Sequence, residues 1–132
     1  QTSDGGYIAV GETWKDSKQI LLLRLDADGN ELWNKIFNAS TINYDTGYSV
    51  QQTSDGGYVV ASSAGNPITS EGHLTKLDAQ GNFEWNVVKK SESGDASLRL
   101  YSVQQTNDGG YFSIGDLGDK LVLFKTDSQG MS

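Results

Sequence analysis

The residues of this 132-residue chain that could do chemistry are one histidine, a set of recurring aspartates and one isolated tryptophan. His73 could act as a general acid or base, or bind a metal. The chain has no cysteine and no second histidine, so a zinc centre would lack ligands. Asp26-Ala27-Asp28-Gly29-Asn30 resembles the start of a calcium loop, with oxygen ligands at alternate positions and a glycine for the turn. A full loop needs a glutamate twelfth in line, where this chain has Phe37. Turn chemistry explains the same residues, because Asp and Asn side chains bond to nearby backbone. No Gly-x-Ser-x-Gly elbow occurs, and no glycine pair is followed by the Lys-Ser/Thr of a phosphate loop. Trp14 stands in the polar stretch Glu12–Lys18 and is the candidate ligand-binding residue.

The elements that must position these residues are set by a repeat. Gln-Thr-Ser/Asn-Asp-Gly-Gly-Tyr begins at Gln1, Gln52 and Gln105, a period of about 50 residues. Arg24-Leu25-Asp26 returns as Lys76-Leu77-Asp78 and Lys125-Thr126-Asp127. Leu32-Trp33-Asn34 returns as Glu84-Trp85-Asn86, and Tyr48-Ser49-Val50-Gln51-Gln52 as Tyr101-Ser102-Val103-Gln104-Gln105. Asp4, Asp55 and Asp108 recur with glycine pairs, which points to turn geometry, since a catalytic residue is usually unique in its scaffold. Trp33 and Trp85 recur as well and read as packing anchors between units. His73 falls roughly where Gln19 or Lys120 stands in the other units and reads as a strand-edge histidine.

Each complete unit predicts four short strands. Tyr48–Thr53 alternates polar and apolar residues, as a half-buried strand does. Asp55-Gly56-Gly57 supplies the positive φ of a tight hairpin. Tyr58–Ala61 is β-branched and aromatic. His73–Leu77 and Phe83–Val88 follow, separated by Asp78-Ala79-Gln80-Gly81-Asn82, a second hairpin signal. In the first unit the third strand is the apolar run Ile20–Leu25, which predicts cover on both faces. No helical periodicity of useful length is present, and Pro67, the only proline, is expected in a loop. The fold class is therefore all-β. Four antiparallel strands per unit is the pattern of a propeller blade. The chain divides into a partial blade at 1–47, a full blade at 48–99 and a partial blade at 100–132.

The pattern resembles the secreted β-propeller repeats of bacterial and archaeal surface proteins. Tyr48 to Tyr58 and Lys76 to Trp85, with their copies, carry the likeness, which covers nearly the whole chain. The resemblance implies that the Asp-Gly-Gly turn joins the two inner strands. It implies too that the tryptophan lies on the outer strand against a neighbouring blade. The aspartate that precedes the Ser-Val strand matches at Asp45, whereas Asp95 is displaced. The resemblance also implies a secreted or cell-surface location, and neighbouring blades of the same or another chain as partners. It implies no enzymatic activity and no cofactor.

About two and a half blades fall short of the roughly four that a closed propeller needs. The expectation is a fragment of a longer protein, with an obligate self-assembling subunit as the alternative. A net charge of −7 and a pI near 4.4 exclude a nucleic-acid backbone as ligand. No apolar run is long enough for a membrane span. Three functions follow as expectations. The first is a scaffold or a protein- or glycan-binding module, using the stretches Glu12–Lys18, Asn38–Thr46, Ser62–Gly72 and Ser91–Arg99 as loops. The second is a structural subunit that joins through open blade edges. The third is a non-catalytic part of a larger secreted enzyme.

Overall fold

Turns rich in glycine and aspartate cut the described residues into ten strands. The computed structural model describes residues 1–41, 44–66, 68–94 and 96–132. Pro67 and Asp95 lie outside these, as do Ile42 and Asn43 of the stretch Asn38–Thr46. Among the described residues there is no helix. The first sheet has the order β1 (Tyr7–Trp14), β2 (Lys18–Leu25), β3 (Glu31–Phe37). The second has β4 (Asp45–Gln52), β5 (Tyr58–Gly65), β6 (Ser70–Leu77) and β7 (Phe83–Lys89). The third has β8 (Leu98–Gln105), β9 (Tyr111–Leu117) and β10 (Lys120–Thr126). Every pairing within the sheets is antiparallel between chain neighbours.

The repeated sequence makes repeated turns. Thr53 N donates to Gly57 O and Gly56 N to Thr53 O, both at 2.9 Å, and the other two units do the same. Gly56 sits at φ 83°, where a side chain would be strained. Gly57 needs its missing Cβ for a different reason. A Cβ there would run into the Leu77 carbonyl and the Lys76 ammonium.

The three sheets stack face to face through the second. Leu22, Ile8, Val10, Trp33 and Phe37 of the first sheet meet Tyr58, Val60, Leu77 and Val50 of the second. On the other side, Val59, Ala61, Leu74 and Trp85 meet Leu98, Leu100, Val103 and Tyr111 of the third. Strands β5 and β6 are thus buried on both faces. The run Ile20–Leu25 is not: Ile20, Leu22 and Arg24 are buried, but Leu21, Leu23 and Leu25 are only half-buried. Only one face of that sheet is packed in this chain. Trp33 lies edge-on to Tyr58 with centroids 5.8 Å apart, and Trp85 to Tyr111 at 5.7 Å. Each tryptophan therefore anchors its sheet to the next one along the chain.

The two interfaces differ in how volume is shared. Gly47 of β4 faces Ile20 and Val10; a Cβ on it would lie 2.5 Å from Val10 Cγ2 and 3.1 Å from Ile20 Cγ2. By repeat position Gly47 corresponds to Leu100, Ile20 to Gly72 and Val10 to Ala61. In the second interface the sizes are reversed. Leu100 is the large residue, and a Cβ on Gly72 would lie 2.7 Å from Leu100 Cγ. Either interface holds one large side and one small side, as close packing requires.

Glutamines tie the units together as well. Gln52 Oε1 accepts from Ser3 N of the preceding turn, and Gln105 Oε1 from Ser54 N, both at 2.8 Å.

The expected loops are shorter than the sequence implies. Strand β1 runs to Trp14, which pairs with Lys18, so only three residues connect β1 to β2. Strands β5 and β6 take up most of Ser62–Gly72, β4 begins at Asp45, and β8 begins at Leu98. The polar residues there read as loop, but Ser62 and Ser63 are buried in the ladder of the sandwiched sheet.

Candidate functional site

The one exposed tryptophan stands at the end of a strand. Trp14 is 62% exposed, as the last residue of β1. Its ring meets Tyr44 edge to face, with centroids 5.4 Å apart. Tyr44 is held by a backbone bridge to Lys18 and by a bond from Gly65 N to Tyr44 O at 3.0 Å. Lys18 Nζ sits 5.5 Å from the Trp14 ring and 5.2 Å from the Tyr44 ring, within cation–π range. It also pairs with Glu12 Oε2 at 2.9 Å. That ammonium holds the Glu12 carboxyl below its usual range.

Two further tyrosines extend the aromatic edge, and backbone irregularity exposes them. The β4–β5 register shifts between Gly47 and Ser49, and the β8–β9 register between Leu100 and Ser102. The extra residues at these bulges are Tyr48 and Tyr101. A bulge re-aims a side chain that regular pairing would direct elsewhere. Their rings stack edge to face at 5.0 Å. Tyr101 O–H donates to Asp116 at 2.9 Å, and Arg99 bonds to Tyr101. Tyr44 and Tyr48 line a cleft together with Thr46, Ser63, Asn66, Ser70, Lys18 and Arg99. Exposed aromatic rings beside hydroxyls, an amide and cations suit a ligand with apolar C–H faces and many hydroxyls.

The other sequence candidates have different places. Asp26 spends its carboxylate on its own turn: Oδ1 accepts from Asp28 N at 2.9 Å and Asn30 N at 2.8 Å, and Oδ2 from Asn30 Nδ2 at 3.2 Å. Asp78 repeats this arrangement. His73 is not at a strand edge. It lies inside β6, is 1% exposed, and corresponds to Leu21 and Val122 when counted back from the recurring cation.

Asp4, Asp55 and Asp108 do shape their turns. Asp55 Oδ1 accepts from Thr53 Oγ1 at 2.5 Å and from Gly57 N at 3.0 Å. They also do something that sequence reasoning missed. Each pairs with the cation of the third strand: Asp4 with Arg24 at 2.5 Å, Asp55 with Lys76 at 3.1 Å, Asp108 with Lys125 at 2.8 Å. The signal was present, because a basic residue recurs wherever the aspartate does. Thr53, Gly57 and Lys76 together hold the Asp55 carboxyl down at about 2.

Asp45 has an opposite environment. It is fully buried, and neither carboxylate oxygen has a completed hydrogen bond. Burial pushes its pKa up to about 6, although Ser40 and the amides of Ala39 and Ser40 lie close enough to oppose this.

No protein-family model and no curated protein matches the chain.

Proposed function

We propose that the chain is a β-propeller segment of a secreted or cell-surface protein. In this reading its three sheets are about two and a half four-stranded blades. It acts without catalysis, as a rigid scaffold and a binding module for a glycan or protein ligand. The observation that supports this best is the aromatic edge. Trp14, Tyr44, Tyr48 and Tyr101 are each about 40% exposed or more; Tyr44 and Tyr48 line one polar cleft, and Trp14 and Tyr101 each make an edge-to-face contact with one of those two rings. Two aromatic pairs left partly exposed beside polar groups offer apolar surface that a ligand can cover. The edge is also held by strands and bulges rather than by free loops, so it is ready for a ligand before binding.

A glycan-array measurement on the full chain and on Trp14→Ala tests this reading. The parent should bind hydroxyl-rich glycans, and the variant should bind at least about tenfold more weakly with little change in melting temperature, since Trp14 is mostly exposed. Equal binding by the two proteins would remove Trp14 from the site. Absence of glycan binding by the parent, with capture of a peptide ligand that Trp14→Ala loses, would make the module a protein binder.

One observation favours a self-assembling subunit as a second reading. Phe112, Leu121 and Leu123 are 41%, 71% and 55% exposed on the outer side of the third sheet. By repeat position they correspond to Val59, Gly72 and Leu74, which the third sheet covers completely in the case of Val59 and Leu74. That face is built like one that receives another sheet.

A further inference from the structure

His73 departs from its repeat in a way that the fold does not require. The same position holds Leu21 in the first unit and Val122 in the third, so an apolar residue suffices there. Burial pushes the imidazole pKa below its ordinary value, which leaves the ring neutral at pH 7. Which ring nitrogen keeps the proton follows from Asn86. Thr75 Oγ1 donates to Asn86 Oδ1 at 3.0 Å and fixes the amide. Asn86 Nδ2 then donates to Ala39 O at 3.0 Å and faces His73 Nδ1 at 3.2 Å. Nδ1 is therefore an acceptor, and the proton sits on Nε2.

That Nε2–H is buried without a partner. Glu71 Oε2 stands 3.7 Å away, beyond hydrogen-bond reach. Buried N–H groups in native folds are rarely left this way, and each exception asks for a cause. Here the ring and Glu71 both line a cleft, together with Ser40, Val88 and Lys90. Lys90 Nζ engages Glu71 Oε1 at 2.7 Å and leaves Oε2 on the histidine side. The cleft thus offers one donor and one acceptor side by side.

A hydroxyl satisfies both at once, because it accepts from Nε2–H and donates to Oε2. Hydrogen bonds of about 2.8 Å to each reach across the gap. The charges select further. An anion would be repelled by Glu71. A cation would meet the imidazole N–H and would have to displace Lys90 from Glu71. Val88 supplies an apolar wall for carbon. We propose that the cleft over His73 and Glu71 is a binding site for a hydroxyl group of a neutral polyol or sugar unit, reached when the Lys90 side chain, 61% exposed, swings aside. This site shares no lining residue with the aromatic cleft and does not depend on it.

The test follows the imidazole resonances of the full chain by NMR, where the only histidine gives a single, assignable set of signals. Glycerol, myo-inositol and methyl β-glucoside are titrated in turn, with sodium acetate as the charged control. A saturable shift with at least one neutral probe and none with acetate is expected. In His73→Leu, which installs the residue of the first unit, the Asn86 side-chain amide should then shift at least tenfold more weakly with that probe. If His73→Leu does not fold, Glu71→Gln serves instead: a neutral acceptor should weaken binding without moving the ring. Shifts that stay linear with every neutral probe, a response to acetate alone, or undiminished binding in the folded variant would overturn the proposal.

Discussion

Lys76 shows how one pair of residue types, repeated three times, is used at different depths. Its side chain is 4% exposed and touches both Asp55 and Glu84, whereas Lys125, paired with Asp108, is 47% exposed. Changing either aspartate to asparagine keeps an oxygen for the turn and removes only the charge. Asp55→Asn should cost about 1–3 kcal/mol, because a buried ammonium loses a partner. Asp108→Asn should cost clearly less, because water screens an exposed pair and solvates the cation that is left. Urea unfolding of both variants checks this, and equal losses would contradict the burial argument.

Asp45 gives a pH signature of unusual sign. Its folded pKa of about 6 lies above the ordinary value of 3.8, so the folded chain holds this proton more tightly than the unfolded chain. Its contribution is fully favourable below about pH 4 and is lost as pH rises to about 6. The stability gained by Asp45→Asn over the parent should therefore grow across that window, by about 3 kcal/mol, and stay flat above it. Unfolding curves from pH 4 to pH 8 measure the difference, and a constant gap would refute it. The paired aspartates act the other way and lower down: their stability fails only as pH falls from about 4 towards 2.

At the scale of the strand, hairpin turns and packing tryptophans were legible in the sequence because glycine and aspartate mark positive φ and because both recur. The ten strands follow from that punctuation. Strand ends were not legible. Trp14 and Ser62 sit in polar stretches, and polarity reads as loop; the register of the neighbouring strand keeps them in the ladder. The aromatic edge was legible only through Trp14. Tyr48 and Tyr101 look like ordinary alternating strand residues, and nothing local announces the bulges that expose them. Asp45 was visible as a repeat landmark, but its burial comes from the packing of whole sheets.

The volume exchange between interfaces is an element-scale property and can be tested as one. Gly47→Leu should destabilise by about 1–3 kcal/mol or more through overpacking against Val10 and Ile20. Adding Val10→Ala and Ile20→Gly recreates the residues that surround Leu100. The triple variant should then be more stable than the sum of its parts predicts, by about 0.5–3 kcal/mol. Simple additivity in thermal unfolding would show that the two interfaces are not built on one plan.

The whole molecule has a closed middle and two faces of unequal character. The second sheet is covered on both sides, while the outer face of the third presents Leu121 and Leu123 to solvent. Single exposed leucines are common, but a cluster at positions that repeat elsewhere as interface is what the proposed self-assembling reading would use. Leu121→Lys should reduce concentration-dependent assembly in sedimentation velocity and leave the unfolding free energy of the dilute chain within about 0.5 kcal/mol of the parent. Unchanged assembly would place the contact elsewhere.

The alternation of volume also gives each sheet a parity. The second sheet is small on both its faces, at Gly47 and at Gly72; the third is large on both, at Leu100 and Leu121. Ile114 and Leu121 of the third sheet repeat the large pair Val10 and Ile20 of the first. Two sheets of equal parity cannot be neighbours without a clash or a void. In the proposed propeller reading, a sheet packed on the third would therefore bring glycine or alanine where Gly47 stands, and a ring made only of these two kinds would close only with an even number of members. Three positions per unit, those of Gly47, Ala61 and Gly72, carry this parity, so the amino acids there decide whether a candidate neighbour is accepted or refused.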